Sequence, residues 1–346
     1  MRLSYTTYRL KCTHPFGISR NSFDNYSRIF IYLEQDSFIG RGEVAPSERY
    51  NESIPQILER LKTEIILPKV VTDIDEVIEI FNRFTHSIKS FRAACVNALF
   101  DWWTQKNNIS LHEYFNYDGK IINPTSFTIA IGDFDELAQK VEEAKEYKIL
   151  KVKLGTDKDK EIISTIRKFT DKLIRVDANE GWDFDTAINM SKWLAENNVE
   201  LIEQPLHVND LDIMVELKKQ SLLPLIADEN CHTSADIENL VKGFDGINIK
   251  LAKCGGIDEA LKMIKTAKNN NLKIMFGCMV ESSIGITTLA QFASQADYLD
   301  LDGNLLINND PYNGLQIVNG IPVLPNGNGL GLTLRYDYLD EYPDLK

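Results

Sequence analysis

From about residue 124 onward, short apolar runs alternate with stretches whose apolar residues recur three and four apart. The runs are TSFTIAI, ILKVKL, LIRVDAN, ELIEQP, PLIADEN, GINIKL, LKIMFGC and YLDLDG. Between them lie DFDELAQKVEEAKEY, DKDKEIISTIRKF, DFDTAINMSKWLAEN, LDIMVELKKQ, SADIENLVKG and IDEALKMIKTAKNN, which carry the helical period. Eight strand-like runs alternating with helical stretches exclude a sandwich. They predict an α/β fold, a (β/α)8 TIM-type barrel over residues 124–310.

Residues 1–116 do not share this repeat. SRIFIYLEQDSFIGRGEVAP reads as two strands around a turn at Gln35, Asp36 and Ser37. SIPQILERLKTEII and DIDEVIEIFNRFTHSI have helical spacing. SFRAACVNALFDWWTQKNN is a further helix, rich in Ala and aromatics, with a broad buried face. An α+β domain therefore precedes the barrel. After residue 310 the strand-like LQIVNGIPVL and the Gly-rich NGNGLGLTL follow. The tail, 315–346, is expected to pack back on the N-terminal domain and complete it.

Composition narrows the partners. The chain has 346 residues and a net charge of −13 with no offsetting basic stripe, which argues against nucleic acid. Its longest apolar stretches fall short of the roughly 20 residues a membrane span needs. MRLSYTTYRLKCTHPF has no apolar signal core, so export is not expected. Cys12, Cys95, Cys231, Cys254 and Cys278 include no CxxC and read as reduced thiols of a cytoplasmic protein. No two of the five histidines stand four apart, which speaks against a histidine metal site.

Charged residues sit where the apolar runs of the barrel end. They are the Lys151-Val152-Lys153 triplet, Asp177, Glu203, Asp228 and Lys250. From Lys153 the steps are 24, 26, 25 and 22 residues, each one strand, one helix and two loops. A barrel gathers its active site from the C-terminal tips of its strands. A single Asp there could be a helix N-cap. Three carboxylates in phase, Asp177, Glu203 and Asp228, instead suit a hard cation such as Mg²⁺, with Asn179 as an added polar contact. Lys151 and Lys153 share one face of their strand. Side by side, they should depress each other's pKa and yield a usable base. Lys250 comes from the sixth run, across the barrel mouth from the second. A base on each face of a substrate carbon lets a proton leave one side and return on the other. The metal would stabilise the enolate between these events. Lys253 is a rival for Lys250, but Lys250 ends its run in the phase of the other tips, so Lys253 is read as structural. Glu229 could pair with a lysine. Asp300 and Asp302, two apart on the eighth run, suit a cationic group such as a free ammonium.

LKVKLG, VDANEGW, IEQP, ADEN, NIKLAKCGG, GCMVESSIGIT and DLDGNLL resemble the dipeptide epimerases, of the muconate-lactonising subgroup of the enolase superfamily. The likeness covers nearly the whole chain, including GRGEVAPSERYNES and the Gly-rich tail. It implies one Mg²⁺ per subunit on Asp177, Glu203 and Asp228. Lys153 and Lys250 would be the two acid/base catalysts, with Lys151 tuning Lys153. Asp300 and Asp302 would hold the dipeptide's ammonium, and Thr128 and Glu281 join the substrate-binding candidates. The C-terminal carboxylate of the substrate would meet the metal, and the α-carbon of the second residue would be inverted. The expected reaction is L-Ala-L-Glu to L-Ala-D-Glu, which serves murein peptide recycling, or that of a related dipeptide. A homo-oligomer is the expected assembly. The chain departs from the pattern in one place. Glutamate-selective members are expected to have an arginine near the position of Phe23, and here Arg20 is the only arginine in that stretch. If Arg20 does not substitute, Phe23 favours an apolar second residue. An o-succinylbenzoate synthase or muconate cycloisomerase on the same scaffold is the alternative. Those reactions involve no substrate ammonium, so Asp300 and Asp302 speak against it. A non-catalytic binding protein is opposed by the intact acid, base and ligand positions.

Overall fold

The structure is a computed structural model, which describes residues 1–19 and 21–335. Arg20 and the end of the tail, 336–346, lie outside the described residues. The chain opens with a three-stranded antiparallel sheet of β1 (Arg2–Gly17), β2 (Ser22–Gln35) and β3 (Phe38–Val44). Asp36 and Ser37, both at positive φ, make the expected β2–β3 turn. The long strand β1 pairs along β2 with an irregularity between Lys11 and Phe16. No strand is predicted there, because its outer face is polar and solvent-facing. Helices α1 (Ile54–Leu61), α2 (Ile74–Phe84), α3 (Lys89–Lys106) and the single turn α4 (Leu111–Tyr114) follow.

Eight parallel strands then run in chain order: β4 (Ser126–Ile129), β5 (Ile149–Lys153), β6 (Leu173–Asp177), β7 (Val199–Glu203), β8 (Leu225–Ala227), β9 (Gly246–Ile249), β10 (Lys273–Phe276) and β11 (Tyr298–Leu299). A parallel bridge from Thr125 to Leu299 brings the last strand against the first and closes the barrel. The outer helices are α5 (Leu137–Glu143), α6 (Asp159–Ile166), α7 (Phe184–Ala195), α8 (Leu211–Gln220), the short α9 (Ile237–Leu240) and α10 (Leu251–Cys254), α11 (Ile257–Asn269) and α12 (Ser283–Ala290). Every residue of α12 is buried. It therefore lacks the polar face that marks an amphipathic helix, and the periodicity does not reveal it. In the tail, β12 (Tyr312–Asn313) pairs with β15 (Thr333–Leu334), and β13 (Gln316–Val318) with β14 (Ile321–Val323).

Helix α3 joins the parts. On one side its backbone meets Gly40 and Gly42 of β3, so closely that an added Cβ would collide with the carbonyl oxygens of Ala98 and Ala94. On the other, Arg92 pairs bidentately with Asp258 at 2.8–2.9 Å and donates to the Gly255 carbonyl at 2.6 Å. The buried Asp101 carboxylate accepts the Arg41 and Leu330 N–H groups, both at 2.9 Å, and so links β3, α3 and the tail. The Leu111 N–H donates to the Gly329 carbonyl of the tail at 3.0 Å, and the Gly329 N–H to the Ile109 carbonyl at 2.9 Å. Among the described residues, no helix is long and apolar enough to cross a membrane.

Gly42→Val is expected to push the sheet off α3 and destabilise the fold by roughly 1–3 kcal/mol, seen as a lower Tm. An unchanged Tm would contradict this packing.

Candidate active site

The barrel strands deliver the charged side chains in register. Lys153, Asp177 and Glu203 end β5, β6 and β7 and are successive partners across the parallel pairing. Asp228 and Lys250 directly follow β8 and β9, and Asp300 follows β11. Leu150, Val152 and Leu154 alternate with the lysines and are fully buried among the helices. A one-residue slip would drive both lysines into that apolar layer, so the hydrophobic pattern fixes which side chains face the barrel interior.

The interior side chains form one charged network. Asp177, Glu203 and Asp228 each offer a carboxylate oxygen, all within 4.8 Å of one another. Lys151 Nζ lies 2.7 Å from both Glu203 Oε2 and Asp300 Oδ2, and 3.3 Å from Asp177 Oδ2. Lys153 Nζ reaches Asp177 Oδ2 at 2.7 Å, and Lys250 Nζ reaches Asp228 Oδ2 at 2.8 Å. Lys253, fully buried, donates to Asp228 Oδ1 at 2.5 Å, to the Asp228 carbonyl at 2.6 Å and to the Asn248 carbonyl at 3.0 Å. It is thus spent on holding Asp228, the structural part expected of it. Asn248 Nδ2 donates to Glu203 Oε1 at 2.8 Å. Glu203 Oε2 is buried and makes no hydrogen bond, with Lys151 Nζ beside it as an ion-pair partner at 2.7 Å. Three converging carboxylates, one with an oxygen that no hydrogen bond uses, fit a hard divalent cation.

Burial and the mutual field set the protonation of these groups. Burial and the neighbouring Asp177 push Glu203 up to about 7. Burial would also raise Asp177, but Lys153 and Lys151 outweigh it and hold Asp177 down to about 2. Asp228, likewise opposed by burial, is held well below the usual range by Lys250 and Lys253. The expectation of depressed lysines fails for Lys151. Burial would lower its pKa, yet Asp300, Glu203 and Asp177 raise it well above the ordinary value. Lys250 is raised too, by Asp228 and Glu203 against burial. Carboxylates, rather than the neighbouring ammonium groups, dominate the field at both.

A cavity of about 480 Å³ opens above this network, between the barrel mouth and the N-terminal sheet. Lys151, Lys153, Lys250, Asp228, Asp300 and Asp302 line it, as do Thr128 and Asn179. Asp302 Oδ2 accepts the Thr128 backbone N–H at 2.6 Å. Burial and Asp300 together push Asp302 up to about 6. Asp300 is engaged on both oxygens, by Ser126 Oγ at 2.6 Å and by Lys151. Phe23 lines the cavity beside Phe16, Ile18 and Tyr26. Glu229 lines it too and accepts from Asn179 Nδ2 at 3.4 Å. Glu281 does not line it. Its carboxylate folds back on the Met279 N–H at 2.9 Å, in the field of Glu43 and Arg28, because its helix-leading turn points toward the N-terminal sheet. The five cysteines are free, and Cys278 lies in the cavity wall.

Four contributors are not among the site residues that the sequence singles out. Asn248 supports Glu203, Ser126 supports Asp300, and Arg49 and Tyr50 roof the cavity from the N-terminal domain. Asn248 and Ser126 each stand two residues before a predicted site residue, Lys250 and Thr128, so the strand period alone would have pointed to them.

The fold and this site define a barrel enzyme of the enolase type. Residues 133–338 match the family model described as enolase C-terminal domain-like. An L-Ala-D/L-amino acid epimerase of Flavobacterium johnsoniae is 35% identical over 96% of this chain and 100% of its own length. The L-Ala-D/L-Glu epimerase of Bacteroides thetaiotaomicron is 34% identical, over 96% of this chain and 88% of its own. A dipeptide epimerase of Cytophaga hutchinsonii, solved with Mg and D-Ala-L-Val, superposes with a TM-score of 0.90 at 28% identity, covering 98% of this chain and 97% of that one. The chain belongs to the dipeptide epimerases of the enolase superfamily.

Asp228→Asn is expected to weaken Mg²⁺ binding at least as much as the roughly 10–100-fold seen on losing a residue that only supports a metal ligand. Calorimetric titration of the purified protein with Mg²⁺ measures this, and unchanged affinity would remove Asp228 from the ligand set.

Proposed function

We propose that the chain epimerises a dipeptide at the α-carbon of its C-terminal residue, using Lys153 and Lys250 as the two bases. The observation that carries this reading is their placement. They come from the second and sixth of eight strands, on opposite sides of the barrel, and each ammonium ends on a carboxylate of the acidic trio. One of them, as the neutral amine, takes the α-proton. The bonding pair passes into the adjacent carboxylate group of the substrate. The other lysine, as the ammonium, returns a proton to the opposite face, which inverts the centre.

Asp177, Glu203 and Asp228 would hold Mg²⁺, the ion found with dipeptide in the Cytophaga hutchinsonii relative. Bound there, it supplies the positive charge that stabilises the carboxylate as the α-carbon loses its proton. Lys151 keeps Asp177, Glu203 and Asp300 from repelling one another. Asp302, with Asp300 beside it, presents negative charge where a free ammonium would enter. A cycloisomerase or o-succinylbenzoate synthase substrate carries no such ammonium, and would leave that buried charge uncompensated. The Phe16 ring lies 6.0 Å from Lys153 Nζ and helps exclude water from the base.

The first residue of the substrate is L-Ala in the names of the two curated relatives. For the second, the cavity wall offers Phe16, Ile18, Phe23 and Tyr26. Among the described residues, the cations lining the cavity are engaged by protein carboxylates or carbonyls. Arg28 donates to the Val280 carbonyl, and Arg49 pairs with Glu180. This wall supports an apolar second residue over glutamate.

In deuterated water, the wild type should exchange the α-proton of both L-Ala-L-X and L-Ala-D-X. Lys153→Ala and Lys250→Ala should each lose epimerisation by roughly 10²–10⁴-fold, while each keeps exchange from the opposite isomer. Equal loss from both isomers in both variants would sink the two-sided assignment. With X varied, kcat/KM should be higher for Leu than for Glu. The reverse order, abolished by Arg20→Ala, would restore the glutamate reading.

A further inference from the structure

The turn after Asp177 and the segment 46–52 of the N-terminal domain meet in an ion pair that the chemistry above does not use. Arg49 Nε donates to Glu180 Oε2 at 2.9 Å, and its Nη2 to Glu180 Oε1 at 2.8 Å. The Glu180 side chain is 5% exposed and that of Arg49 33%. The two-pronged contact fixes direction as well as distance. Glu180 is held from the barrel side too. Its Oε1 accepts the Val208 N–H at 3.1 Å, and its own N–H reaches the Gln204 carbonyl at 2.9 Å. Asn179 and Glu180 both have positive φ, 44° and 67°, a costly conformation for residues with side chains. The Asn179 N–H donates to Asp177 Oδ1 at 2.9 Å. One strained turn therefore joins a carboxylate of the acidic trio to the roof of the cavity.

The roof is tied down at its far end as well. Glu52 accepts the N–H groups of Lys89 and Ser90 at 2.6 and 3.3 Å, at the start of α3. Between the two ties, Tyr50 packs edge-on against His232, with ring centroids 4.8 Å apart. Arg49, Tyr50 and Glu52 all line the cavity.

We infer that Arg49 and Glu180 form a latch that keeps segment 46–52 closed over the bound dipeptide. They are positioning residues, since neither acts on the reacting carbon. The inference rests on the dipeptide reading for its substrate, but not for its mechanical part. With the latch broken, the roof loses its tie to the turn after Asp177 and keeps those at Tyr50 and Glu52, and a bound dipeptide escapes before turnover more often.

Two variants test it. Glu180→Gln keeps an acceptor for the Val208 N–H and removes the charge. Arg49→Gln alters the more exposed partner and leaves the core untouched. Each should raise KM for the preferred dipeptide roughly tenfold while kcat stays within about twofold. The double variant should show no more than the shift of either single, because the two act as one pair. Amide hydrogen exchange at residues 47–51, followed without any dipeptide, should accelerate in every variant. A KM and amide exchange like those of the wild type in both singles, or a double-variant shift equal to the product of the singles, would overturn the latch. If the wild type turned over no dipeptide, the functional reading would fall, and amide exchange would still decide on the latch.

Discussion

Asp177, Glu203 and Asp228 are held together out of water at the barrel mouth, and their mutual repulsion has to be balanced on the spot. A buried unpaired charge costs several kcal/mol, and loss of one partner strands the other. Lys151, Lys153, Lys250 and Lys253 supply the balance from two strands and the short helix that follows one of them. Such a network forms only if neighbouring parallel strands stop at the same level, as the pairing of Lys153, Asp177 and Glu203 shows. What the lysines leave is three converging carboxylates with one Glu203 oxygen outside any hydrogen bond, an arrangement that suits a hard cation.

The rest of the molecule serves to cover this network. An open barrel mouth would admit water and weaken every electrostatic contact inside. The N-terminal sheet closes it by contacts at widely separated points. Arg28 donates to the Val280 carbonyl, and Glu43 accepts the Ser282 N–H at the start of α12. Helix α3, nearly all of it buried, sits between the sheet and the barrel and meets both. The shape of the cavity therefore depends on both the N-terminal sheet and the barrel.

Most of the barrel was legible in the sequence because its signal is repeated. A strand period and a helix period alternate, with a charged residue at or just beyond six of the eight strand ends. The acidic trio and the lysines were legible for the same reason. Helix α12 was hidden by being apolar on all sides, and β1 by its polar outer face. A likeness in GCMVESSIGIT gives the position of Glu281 along the chain but not the direction of its side chain, which turns back on the Met279 N–H. Lys151 is raised because Asp300, Glu203 and Asp177 together outweigh burial, a balance that the i, i+2 pairing with Lys153 does not show. Arg49 and Glu180 lie 131 residues apart and belong to no shared motif.

The most direct measurement is a crystal structure of the protein with Mg²⁺ and a slowly reacting dipeptide analogue. The account predicts one ion bound by Asp177, Glu203 and Asp228, with Lys153 Nζ and Lys250 Nζ on opposite faces of the C-terminal residue's α-carbon. Both amines on one face, or an ion bound away from those three carboxylates, would contradict it.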